Sequence, residues 1–322
     1  MSFNPDVLKI DAEAEAGRIA EFIVDETRKV YRRTGIVVGL SGGIDSTVMA
    51  SLAVHALGKE RVVGLILPER ESNPVSAELG TAHADALGIE HRVVDITGMV
   101  DAVCPYARRD EYIRNLIPAY TPECKYNISL PTDLLERDSF NFYVLRVQTP
   151  DGEMHTKRLD QEAFRFITAF ASIKIRARMV QLYWEAERRS LVNAGTTNRT
   201  EMVLGDFAKY GDGGTDIEAI AHLYKDQVYQ LGAFFDVLPA VMTRAPSPDT
   251  FSLPVTDIEF FFRIGFDKLD HLLWGWEHEV PPEDVSGALG VPVDGVKRAY
   301  RDFAAKNRAT RHLRELAHTM NR

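Results

Sequence analysis

The run Gly39-Leu40-Ser41-Gly42-Gly43-Ile44-Asp45-Ser46 limits the folds open to this chain more than any other stretch. It follows the short β-branched run Ile36-Val37-Val38 and leads into Thr47–Leu57, whose apolar residues recur at helical spacing. A buried strand and a helix therefore flank a glycine-rich turn. Such a turn is an anion cradle, because exposed N–H groups and the positive end of the helix dipole both point at the ligand. Ser41 and Ser46 add hydroxyl donors for phosphate oxygens. Asp45 would repel a phosphate unless a cation such as Mg²⁺ bridges the two. No Lys sits in the turn, so this is not the phosphate loop ending in Gly-Lys-Ser/Thr. Nor does it have the three spaced glycines of the dinucleotide fingerprint.

Around the turn, strand and helix signals alternate. An amphipathic helix over residues 5–33 carries Ile19, Phe22, Ile23 and Val30. A second strand reads Arg61–Pro68, a helix runs from Pro74 to Leu87 before Gly88, and a third strand reads His91–Ile96. After a helix over Glu162–Arg189 comes a fourth buried strand, Leu191–Gly195. The alternation predicts an α/β fold, a doubly wound parallel sheet whose ligands sit at the C-terminal strand ends. Between Asp110 and Phe164 the pattern changes. Phe140–Val147 and Met154–Leu159, separated by Pro150-Asp151-Gly152-Glu153, predict a hairpin, and residues 110–164 read as an insertion. Beyond Val255 the chain reads as mainly helical, ending in the basic stretch Lys306–Arg314.

Bulk properties remove several function classes. At 322 residues the chain can bury one large core. A net charge of −9 argues against a general nucleic-acid surface. No apolar run approaches the roughly 18 residues of a membrane span, and the polar, acidic start lacks the pattern of a signal peptide. Cys104 and Cys124 are the two cysteines, too few for a disulfide framework or zinc site, which fits reduced thiols in the cytoplasm.

A second constellation follows the fourth strand: Gly195-Thr196-Thr197-Asn198-Arg199-Thr200-Glu201, then Lys209-Tyr210-Gly211-Asp212-Gly213-Gly214-Thr215-Asp216, then Leu223–Val228 and Ala245-Pro246-Ser247-Pro248-Asp249. Singly these read as solvated turns. The first loop resembles the Ser-Gly-Gly-x-Asp-Ser pyrophosphate loop of the N-type ATP pyrophosphatases, which split ATP between its α and β phosphates. Together the blocks resemble the NAD synthetase family, which amidates nicotinic acid adenine dinucleotide. The likeness covers about Gly35–Ile96 and Ser172–Asp249; Lys209–Gly214 matches a family block in full, and Ile173–Met179 matches its Arg-rich helix segment.

The resemblance implies one domain over residues 1–322, of the adenine nucleotide alpha hydrolase type, with residues 110–164 inserted. It implies ATP as co-substrate, bound by Gly39, Ser41, Gly42, Gly43, Asp45, Ser46, Thr196, Lys225 and Ser247. Mg²⁺ would sit on Asp45 and Glu201. Arg176, Lys209 and Asp216 match positions contacting the dinucleotide, and Arg176 suits an anion because its planar fork can pair bidentately. Asp212 is a candidate to orient ammonia or take its proton. The implied reaction forms an acyl-adenylate and pyrophosphate, then ammonia releases AMP and the amide. No glutaminase domain is visible, so the nitrogen source is free ammonia or ammonia from a separate glutaminase. A homodimer is implied, with Phe260, Phe261, Phe262, Leu272, Leu273 and Trp274 open to either an interface or core reading.

Three features depart from the family pattern. They are the long stretch before the Arg-rich helix, Ser172 where Asn is usual, and the absence of an evident C-terminal His-Lys pair, for which Arg308 or Arg311 is the nearest substitute. They leave open a paralogue that adenylates and amidates another carboxylate. A non-catalytic nucleotide-binding protein, RNA thiolation and argininosuccinate-type ligation are the remaining readings.

Overall fold

The computed structural model describes residues 3–138 and 142–320. Along the chain run α1 (Ala12–Asp25), β1 (Gly35–Gly39), α2 (Ile44–Leu57), β2 (Val62–Ile66), α3 (Pro74–Leu87), β3 (Glu90–Val93), α4 (Thr97–Val103) and α5 (Tyr106–Leu116). There follow β4 (Lys125–Ser129), β5 (Val144–Gln148), β6 (Met154–Arg158), α6 (Gln161–Arg189), β7 (Leu191–Ala194), α7 (Arg199–Leu204), α8 (Lys225–Phe234) and α9 (Pro239–Met242). The chain closes with α10 (Phe266–Glu277), α11 (Pro282–Leu289) and α12 (Val293–Ala309).

The main sheet is parallel, in the order β3-β2-β1-β7. Its strands are nearly continuous in apolar residues because both faces are covered. Ile36, Val38, Val62, Ile66 and Val192 face α1, α2 and α8, while Val37, Val63 and Leu65 face α4 and α6. The edge strand β3 is shielded by charge: Glu90 pairs with Arg189 at 2.6 Å and Arg92 with Glu185 at 3.3 Å. The sheet and its flanking helices agree with the expected doubly wound arrangement. From β1 the chain first builds outward to β2 and β3, then returns to pair β7 on the other side of β1. The ends of β1 and β7 thus form a switch point, where such sheets bind ligands.

The predicted hairpin is present as β5 and β6, with Val147 opposite His155. The expected strand began at Phe140; Phe140 and Asn141 lie outside the described residues, and β5 begins at Val144. A third strand, β4, pairs antiparallel with β5 and was not expected. Its Lys-Tyr-Asn-Ile-Ser run mixes polar and apolar residues, and the buried Asn127 donates its Nδ2 to Pro254 O at 2.9 Å. This small sheet packs its Ile128, Leu145 and Val147 on Ala163, Ile167 and Ala171 of α6. A further core joins α10, α11 and α12 to Leu204 and Tyr224. Phe262, Leu272 and Leu273 lie in that core and Phe261 and Trp274 pack against it, while Phe260 packs on the small sheet's core. Of the two readings left open for these residues, the structure favours core.

Gly42 has φ +71°, and a Cβ there would lie 2.4 Å from Ser76 O in the first turn of α3. Gly287 in α11 has open space where its Cβ would go. Gly42→Ala is therefore expected to lower unfolding free energy by about 1–3 kcal/mol. Gly287→Ala should raise it by up to about 1 kcal/mol. Denaturant unfolding of both variants checks this; equal effects would refute the strain assigned to the loop.

Candidate active site

At the switch point lies a cavity of about 470 Å³ lined by both loops, within the size range of small-ligand pockets. Its floor is the β1–α2 turn. Ser46 Oγ receives Ser41 N at 3.2 Å and lies 3.1 Å from both Ser41 Oγ and Gly43 O, while Thr47 Oγ1 donates to Gly43 O at 2.8 Å. These bonds fix the turn and leave the opening N–H groups of α2 facing the cavity.

The second loop leaves β7 at Thr196. Asn198 caps α7 by accepting Glu201 N at 3.1 Å, and Glu201 Oε2 accepts Asn198 N in return at 3.2 Å. The same Asn198 donates to Asp45 Oδ1 at 2.9 Å. Lys225, first residue of α8 and almost fully buried, places Nζ 2.5 Å from Asp45 Oδ2 and 3.3 Å from Glu201 Oε1. The three expected ATP and metal residues thus meet at one point. Burial opposes the Lys225 charge, but Asp45 and Glu201 outweigh it and hold the lysine well above its ordinary pKa. One ammonium does not satisfy two carboxylates. Burial pushes Glu201 well above the usual carboxylate range even with Lys225 beside it, and Asp45 adds to the shift.

Such a pair suits a hard cation. The described residues contain no cluster of three or more His, Cys, Asp or Glu side chains able to hold a metal. Asp45 and Glu201 would supply two oxygens, leaving the others to phosphate and water, the arrangement that suits Mg²⁺.

Of the remaining positions expected to bind ATP, Gly39, Ser41, Gly43, Ser46, Thr196 and Ser247 line the cavity. Gly42 does not, but its carbonyl accepts Arg244 Nη1 at 3.3 Å. Asp212 also lines it. Burial raises its carboxyl to about 6, against the bond it accepts from Ala208 N at 2.7 Å.

Arg176, Lys209 and Asp216 are not brought into the cavity. Arg176 turns to the outer surface of α6 and donates to Lys209 O at 3.1 Å. Lys209 Nζ is held by His312 O at 2.8 Å and Glu315 O at 2.7 Å. Asp216 takes Tyr183 OH at 3.1 Å and Asn193 N at 2.8 Å, so both its oxygens brace β7 and α6. Arg308 and Arg311 also stay outside, both exposed, with Arg311 paired to Glu315. Ser172 does line the cavity.

Several lining residues escaped the sequence reading. Tyr143, at the start of β5, stacks on Phe164 at 4.4 Å and forms one wall with Phe260. Asp206, Asp257, Arg178 and Arg244 also line the cavity. A cation just ahead of Ala245-Pro246-Ser247 was a usable signal for Arg244; nothing local marks Asp257. Glu218 escaped too: it braces the second loop, accepting Thr215 Oγ1 at 2.8 Å and Thr197 N at 3.2 Å.

A family model described as NAD synthase matches residues 15–135 and 116–317. The NH(3)-dependent NAD(+) synthetase of Rhizobium meliloti (strain 1021) is 40% identical over 311 residues, 97% of this chain and 92% of its own length. That of Thermotoga maritima is 35% identical over 275 residues, 85% of this chain and 90% of its own. Among solved structures, an NMN synthetase from Francisella tularensis superposes with TM-score 0.68 at 22% identity, covering 97% of this chain and 100% of its own. An NH3-dependent NAD synthetase from Campylobacter jejuni gives 0.63 at 18% identity, with coverage of 97% and 100%. At those identities the two structures speak for the fold.

Burial pushes the Glu218 carboxyl up to about 7, from 4.5 for the free group. Between those values the folded chain binds more protons than the unfolded one, so this group makes stability fall as pH rises. Glu218→Gln removes the slope. Relative to the parent chain, its melting temperature should climb from about pH 5 to about pH 7.5; parallel profiles would exclude the assignment.

Proposed function

The chain belongs to the NAD synthase family, and on that premise we propose how its cavity carries out ATP-dependent amidation of nicotinic acid adenine dinucleotide with ammonia. One observation carries the residue assignments: Asp45, Glu201 and Lys225 converge beside a strand–turn–helix phosphate cradle. A paralogue acting on another carboxylate is not favoured, because relatives spanning nearly the whole chain carry the ammonia-dependent NAD synthetase name.

Ser41, Ser46 and the first amides of α2 hold the β and γ phosphates, and Thr196 and Ser247 fix the nucleotide on either side. The substrate carboxylate attacks the α-phosphorus, forming the acyl-adenylate as pyrophosphate departs into the turn. Mg²⁺ on Asp45 and Glu201 would neutralise phosphate charge as the P–O bond breaks. Lys225 stays protonated throughout and adds a fixed positive charge at the same place. Ammonia then attacks the acyl carbon and AMP leaves. Ammonium must lose a proton first, and Asp212, held near 6, is a base matched to that task. Arg176, Lys209 and Asp216 would take up the dinucleotide outside the cavity, with Lys209 released from the C-terminal carbonyls. Residues 110–164, as an insertion within a single domain, supply the Tyr143 wall.

The test supplies ATP, Mg²⁺, ammonium and nicotinic acid adenine dinucleotide and follows NAD, AMP and pyrophosphate. Equal yields of the three are expected. Asp45→Ala should cut pyrophosphate release by about a hundredfold or more, and Asp212→Asn should flatten the acid limb of the rate near pH 6. Turnover without NAD would sink the substrate assignment; undiminished Asp45→Ala would sink the metal site.

A cytoplasmic homodimer completes this reading. On the outer face of α6, Val180 and Trp184 are 59% and 62% exposed, and Tyr210 beyond Arg176 is 65% exposed. Large exposed apolar side chains grouped in this way mark an interaction surface. Sedimentation should give a dimer for the parent chain and a monomer for Trp184→Glu. A monomeric parent would remove the interface.

A further inference from the structure

The phosphate cradle has no cation of its own. Residues 39–46 contain neither Lys nor Arg, and Lys225 is committed to two carboxylates. Three cationic side chains line the cavity among the described residues: Arg178, Lys225 and Arg244. Arg178 serves the β2 side, donating to Leu67 O at 3.0 Å and Ser72 Oγ at 3.2 Å. Arg244 alone of the three donates to the backbone of the turn. Its Nη1 donates to Gly42 O at 3.3 Å and its Nη2 to Ser76 Oγ at 2.7 Å in the first turn of α3. Both acceptors are neutral, so the guanidinium keeps its full charge. Two of its five N–H groups are engaged there, and among the described residues the other three meet no hydrogen-bond acceptor.

We propose that Arg244 is the missing cation of this cradle: it grips the terminal phosphates of bound ATP and then the departing pyrophosphate. This rests on the ATP-splitting reading given above. The residue arrives from the segment after α9 that also delivers Ser247, so one stretch of chain presents a cation and a hydroxyl to the same anion. The Gly42 carbonyl and Ser76 hydroxyl hold the guanidinium beside the cradle before ligand arrives, which spares the ordering cost of a long flexible side chain. A planar fork can bind two phosphate oxygens at once, which an ammonium cannot. Charge is thereby placed where the leaving group accumulates it.

The experiment measures binding of magnesium pyrophosphate, and separately of AMP, to the full-length chain by calorimetry, with Arg244→Gln and Arg244→Lys as variants. Glutamine can still donate to Gly42 O but carries no charge. Arg244→Gln should weaken pyrophosphate about tenfold or more while AMP changes little. Arg244→Lys should recover much of the loss. Equal pyrophosphate affinity in the two variants would overturn the proposal, since a purely structural anchor predicts that result. A matching loss of AMP affinity in Arg244→Gln would overturn it as well, by showing general collapse of the site. Because pyrophosphate binding is read directly, these outcomes stand apart from whether NAD is formed.

Discussion

The rest of the site depends on one buried ammonium. Lys225 opens α8, where the helix dipole disfavours a positive charge. The residue is tolerated there because Asp45 and Glu201, in the first turns of α2 and α7, lie against it. For those two carboxylates the dipole is favourable. Three helix N-termini therefore converge on one point above the ends of β1 and β7, and each contributes the sign of charge the others require. Removing one partner from such a set leaves an uncompensated buried charge, typically a loss of about 3–5 kcal/mol. The geometry of the phosphate cradle and of the second loop is thus tied to a single electrostatic constraint.

That constraint sits within a cavity short of positive charge. Its described lining holds six carboxylates and three cations. The groups proposed to enter it, a nucleoside triphosphate and the reacting carboxylate of an acid dinucleotide, are themselves anions. Burial already pushes Asp212 and Asp257 up to about 6, and Glu201 higher than usual. Adding phosphates without counter-ions would raise the electrostatic cost further. The divalent cation proposed for Asp45 and Glu201 and the Arg244 guanidinium beside Gly42 would both relieve that deficit. The acidic character also suits the nucleophile: ammonium is attracted to carboxylates, and a carboxylate near neutrality can accept its proton.

How much of this was legible depended on the range of the interaction. The parallel sheet was readable because both faces are buried, leaving apolar runs such as Ile36–Val38 and Arg61–Leu67 between turn signals. Asp45, Glu201 and Lys225 could be singled out because motif spacing marked their blocks, and the fold then brought together residues far apart in sequence. Arg176, Lys209 and Asp216 were equally marked by motif. A motif does not show which face of α6 a side chain takes, and the fold puts Arg176 outward and ties Asp216 to Asn193. Strand β4 was missed because its alternation is masked by Asn127, a polar residue whose Nδ2 donates to a carbonyl more than a hundred positions away. Tyr143 and Asp257 carry no local signal, since their presence in the cavity is a product of tertiary packing alone.

The same logic explains how residues 110–164 reach the nucleotide side of the molecule. Lys174 of α6 is fully buried, and its three N–H groups meet three acceptors: Glu69 Oε1 at 2.9 Å, Glu71 Oε2 at 2.6 Å and Thr250 O at 2.9 Å. Arg109 of α5 closes on Glu71 Oε1 at 2.6 Å, and donates to Asp110 and to Tyr126 OH of β4. Tyr106 OH completes Glu69 at 2.5 Å. Against well-packed apolar residues, such a network earns little net stability, because each ion must be desolvated. Its physical consequence is positional. Every donor of Lys174 is matched, so sliding any partner strands a charge in the core. The segment after β2, the helix α6, the chain around Thr250 and the small sheet are thereby held in one relative arrangement. That arrangement sets the distance between the cradle at Ser41–Ser46 and the aromatic wall at Tyr143.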